Sequence, residues 1–152
     1  MYALFIAVVF GALVAGYTAQ QVPKENAFAI ETKAEVEATN YIAYRKAVLS
    51  YMQANPLATG TISDASLTSY FLPGYLRNPN WTNLVSGGVI YVYATAVTSS
   101  NVIDIVSKKN NESLLIGKRN SVTGKLESVN GFDTGVVLPA SIPNNTLVIL
   151  GN

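Results

Sequence analysis

Asp104, Glu112, Glu127 and Asp133 are the side chains in this chain with the best claim to perform chemistry. Two carboxylates of different pKa can serve as general acid and general base. These four are scattered through stretches that read as loops and helix surface, and only nearness in sequence joins them. Other reactive types are missing or poorly placed. The chain has no histidine and no cysteine. That removes the commonest general base and metal ligand, the His-dependent triad, the zinc ribbon and the thiol nucleophile. Ser107 precedes Lys108, a dyad that almost any protein of this size could supply. Gly87-Gly88 lacks the following lysine and hydroxyl of a phosphate-binding loop, and no Gly-x-Gly-x-x-Gly occurs. Triplets beginning at Asn80, Asn111 and Asn144 match the glycosylation pattern, which has meaning only in a eukaryotic secretory setting. The residues therefore name no catalytic side chain, no cofactor and no metal ligand, and the expectation is a protein that is not an enzyme.

Charge excludes a further class. Charged residues make up 12% of the chain, about half the ~25% usual in soluble domains. A net charge of +1 gives no field to attract nucleic acid or an acidic substrate. Lys108-Lys109 reads as a solvated helix end, and Lys118-Arg119 as a charged guard on a hairpin edge.

The elements that would carry these residues begin with an uncharged segment. Lys24 is the first charged side chain, and residues 3–16 form a continuous apolar run between Tyr2 and Tyr17. Tyrosine sits well at headgroup level, so the run is near the lower length limit of a membrane span. Three fates are open: a retained span, a cleaved secretory signal, or a buried helix. The lack of Lys or Arg ahead of the run counts against the signal. The first fate makes residues 1–22 a single-pass anchor, with the amino terminus inside and residues 23–152 outside as one domain. Ala7, Gly11 and Ala15, four apart, would form a small-residue stripe on which a membrane partner or a second copy could rest.

Pro23 is expected to interrupt the helix. Beyond it, Ala34, Ala38, Tyr41, Ile42, Arg45, Val48, Tyr51 and Met52 recur at three and four, an amphipathic helix. Glu31, Glu35 and Glu37 would lie early in it and Arg45 and Lys46 late, as the helix dipole favours. Asn55-Pro56 ends it. Ser63 or Asp64 could cap a short helix to about Tyr70, and Pro73-Gly74 demands a turn. The stretch around Trp81 reads as a loop, with the indole a lid on the core. Val89, Tyr91 and Tyr93 alternate with Ile90, Val92 and Ala94, a strand. Residues 99–111 read as a short helix, with a strand as competitor. Four more strands follow: two joined near Thr123-Gly124, one in "TGVVLP" and one in "NTLVILG". The pattern is an α+β class: transmembrane helix, amphipathic helix, then a mostly antiparallel sheet.

This layout resembles the type IV pilin plan, but without its basic leader, its Gly-Phe processing site and the glutamate near the start of the apolar run. Those departures count against filament membership. A nearer likeness rests on "LPGY" at 72–75, "GGVIYVY" at 87–93 and "LPASIP" at 138–143, together with the short apolar start. On these motifs the chain resembles the PilM family of conjugative thin pilus and type IVB pilus systems, not the actin-like protein of the same name. The resemblance covers nearly the whole chain. It implies a bacterial inner-membrane protein with its carboxy-terminal domain in the periplasm. Such a protein would belong to the pilus assembly apparatus or basal body, with other pilus proteins as partners. A minor pilin-like subunit and a carboxylate-dependent envelope enzyme stand as alternatives.

Overall fold

The computed structural model describes the backbone of residues 2–151 and the side chains of residues 24 and 26–151. The anchor expected at residues 1–22, with its stripe of Ala7, Gly11 and Ala15, concerns side chains outside these. Among the described residues no helix is long and apolar enough to cross a membrane.

The chain divides into two units, Met1–Lys33 and Ala34–Asn152. The first is helical, and its side chains from 26 to 33 are exposed, Phe28 and Ile30 included. Helix α1 spans Tyr2–Ala54, so Pro23 does not interrupt it. The helix continues although a proline removes one helical hydrogen bond, a cost of about 3 kcal/mol. Glu31, Glu35 and Glu37 therefore lie in mid-helix rather than early in a helix, so their placement is not a dipole effect.

In the second unit, α1 contributes Ala34, Ala38, Tyr41, Tyr44, Ala47 and Val48 as its buried stripe. A short helix, α2 (Asp64–Leu67), is capped by Ser63, whose hydroxyl accepts from the Ser66 amide; a 3-10 turn, Thr68–Tyr70, continues it. Helix α3 (Ser100–Lys109) starts at Ser99, whose hydroxyl accepts from the Val102 amide. Each cap satisfies an amide that the first helical turn leaves without a partner.

Six strands form one sheet: β1 (Trp81–Ser86), β2 (Val89–Ala94), β3 (Ile116–Arg119), β4 (Lys125–Ser128), β5 (Asp133–Val137) and β6 (Leu147–Gly151). Their order is β1-β2-β6-β3-β4-β5, and every neighbouring pair is antiparallel. Because β6 is antiparallel to both β2 and β3, those two run the same way, and α3 is the crossover between them. The β1–β2 turn is Gly87-Gly88, with φ of +60° and +78°, the two left-handed residues that a tight two-residue hairpin requires. That geometry accounts for the glycine pair without any phosphate.

Alternation splits the sheet's apolar residues as the sequence indicates. Ile90, Val92 and Ala94 join Trp81, Val85, Ile116, Leu147 and Ile149 against α1 and α3. Tyr91 and Tyr93 lie on the other face with Leu126, Val148 and Leu150, packed with Leu138 and Ile142 from the loop before β6.

Two expectations fail here. Residues 81–86 form a strand rather than a loop, because Trp81, Asn83 and Val85 all point into the core. Lys118 and Arg119 do not guard an edge, since β3 lies between β6 and β4. Lys118 instead faces Glu127 directly across the β3–β4 pair. Gly117 permits that pairing: a Cβ there would overlap the Glu127 carbonyl oxygen.

Candidate interaction surface

Of the four carboxylates, the fold brings Glu127 and Asp133 together as opposed positions on β4 and β5. Asp104 lies on α3, exposed, and Glu112 lies in the turn after it, held at φ +54°. Glu127 accepts from Asn120 Nδ2 at 2.7 Å and pairs with Lys118 Nζ at 3.2 Å. The amide hydrogen bond, then the ammonium, hold its carboxyl below the usual range. Asp133 accepts from the Gly135 amide at 2.8 Å and from Lys125 Nζ at 3.0 Å, and these two lower it likewise. A general acid at neutral pH needs its pKa raised; both carboxyls here are shifted the other way. The hollow beside them holds about 120 Å³, below the ~300 Å³ where small-molecule sites begin.

The Ser107-Lys108 dyad is not assembled. Ser107 is on the buried face of α3 and Lys108 is exposed, and adjacent helix positions do not face each other. Lys109, at the helix end, pairs with Glu35 of α1 at 2.6 Å. Among the described residues no three acidic side chains gather as a metal site would need.

The most elaborate constellation lies elsewhere, where the 71–81 segment meets α1. Tyr75 N–H donates to Leu72 C=O at 3.0 Å. With Pro73 at the second position and Gly74 at φ +80°, this is a type II turn. Asn40 fastens the turn to the helix. Its Oδ1 accepts from Tyr75 Oη at 3.1 Å and from Trp81 Nε1 at 2.9 Å, while its Nδ2 donates to Leu76 C=O at 2.8 Å. Behind it Trp81 meets Tyr41 edge-on at 4.8 Å, and Phe71 stacks between Tyr44 and Tyr75. Arg77 lies 4.5 Å over the Tyr44 ring and pairs with Asp64 at 2.8 Å.

Deeper still, Asn83 is fully buried. It donates to Tyr44 Oη and Ile62 C=O and accepts from Ile62 N–H. Tyr41 donates its hydroxyl to Val92 C=O. Burial pushes the Tyr41 and Tyr44 hydroxyls above their ordinary range, and Tyr75 up to about 12. Trp81 thus belongs to the core, as its sequence reading holds, though from a strand.

The product of this fastening is a shallow groove of about 390 Å³ between α1 and the turn, lined by Val36, Thr39, Ala43, Gly74, Tyr75 and Leu76 among others. Val36 is 65% and Leu76 82% exposed. These two apolar side chains, open to solvent on either side of the groove, make it the candidate contact surface. Asn40 and Arg77, which fasten the 71–81 segment, are absent from the sequence expectations. A poor helix former amid a buried helical stripe is the one signal that could have flagged Asn40.

The fold defines an α+β protein whose six-stranded antiparallel sheet packs helices against one face. The chain belongs to the PilM family, whose model matches residues 8–150, and membership makes it a component of a pilus system that associates with other pilus proteins. It is similar to a solved PilM protein of Escherichia coli B7A, with a TM-score of 0.61 and 21% identity over 79% of this chain and 92% of that one. A PilM protein of Pseudomonas aeruginosa 2192 aligns at 25% identity over 78% of this chain and 95% of that one, with a TM-score of 0.43. The first likeness shows a shared fold. No curated protein matches the chain.

Proposed function

We propose that this protein is a non-enzymatic part of the assembly apparatus or basal body of a type IVB, thin conjugative pilus. Residues 1–22 anchor it in the bacterial inner membrane, and the rest, in the periplasm, binds other pilus proteins through the groove between α1 and the 72–76 turn. The family match over residues 8–150 carries this reading. The pairing of Glu127 and Asp133 with their own lysines supports a non-catalytic role.

Complementation of a deletion strain tests it. Glu127→Gln with Asp133→Asn should restore pili fully, whereas Leu76→Asp with Val36→Asp should leave a folded protein that fails to cross-link to pilus proteins. The opposite pattern overturns the reading and favours a carboxylate enzyme. The anchor is tested separately: the protein should resist carbonate extraction and keep residue 1. Release of a soluble form lacking the first 20 or so residues would overturn the anchor alone. Gly11→Leu should weaken helix association by about 1–2 kcal/mol, and Val9→Leu should be nearly silent.

The single long helix Tyr2–Ala54 favours a second reading, a minor pilin-like subunit. Immunolabelling of sheared pili separates the two, since an assembly component stays with the cell envelope.

A further inference from the structure

We draw no further inference here: the strongest candidate, the half-open apolar cleft of about 470 Å³ between the last turn of α1 and the β1–β2 hairpin, lined by Leu49, Met52, Leu57, Val85 and Ile90, carries nothing because nothing in the structure shows what covers it.

Discussion

At its β1 end the sheet holds an amide in its core, and toward its β5 end it sets two ion pairs at the surface. Asn83 on β1 has no solvent exposure and three hydrogen-bond partners. Lys118–Glu127 and Lys125–Asp133, on β3 to β5, form their pairs at the surface. A buried donor or acceptor that loses its partner forfeits its full desolvation cost. An exposed ion pair that loses one member is simply rehydrated. The β1 end therefore fixes where α1 and the 71–81 segment sit, while the β5 end contributes charge and little rigidity.

The strongest attack on this contrast is Trp81→Ala. It removes a fully buried indole, its contact with Tyr41 and its bond to Asn40. Urea unfolding should show a loss of about 3–5 kcal/mol; a loss under about 1 kcal/mol would mean that the indole merely covers the core. Asn83→Leu comes next. It strands both backbone groups of Ile62 and the Tyr44 hydroxyl, with an expected loss of about 2–3 kcal/mol by the same measurement. If leucine is tolerated, the buried network does not determine the β1 end.

Alkali should reach the β1 end selectively. Unfolded tyrosines ionise near 10.0, while burial holds Tyr41, Tyr44 and Tyr75 higher in the folded state. Their contribution is complete below pH 10 and drains away as pH rises toward the folded values, Tyr75's being about 12. A urea midpoint that falls steeply above pH 10, and less so in Tyr41→Phe, is the expected record.

The smallest effects belong to the β5 end. Lys118→Ala should cost no more than about 1 kcal/mol. Glu127 and Asp133 have folded pKa values below their ordinary 4.5 and 3.8. Their contribution is present above those values and lost as pH falls through the lower folded ones. Because both groups are solvated, the acid limb of the stability profile should be shallower than the alkaline limb. A steeper acid limb would reverse the comparison.

The same contrast explains what could be read from the sequence. The two faces of β2, the amphipathic stripe of α1 and the serine-capped helix at 100–109 follow from period and capping, which are local. Strand β1 was hidden because an asparagine occupies a core position, and only Tyr44 and Ile62, far away in sequence, make Asn83 acceptable there. Lys118-Arg119 suggested an edge because charge usually marks one; the insertion of β6 beside β3 is a tertiary fact with no local trace. The carboxylates were legible as candidates, but their lysine and amide partners depend on strand register. Asn40, the fastening of the groove, looks like any polar residue on a helix until the 71–81 segment is laid against it.

The place of β6 in the sheet sets a condition on biosynthesis. It follows every other strand in chain order, yet lies between β2 and β3, pairing with both. While a ribosome is still adding residues before Leu147, the β1–β2 hairpin and the β3–β5 meander have no strand to connect them. The polypeptide thus cannot close its sheet until residues Leu147–Gly151 are free to pair with both halves.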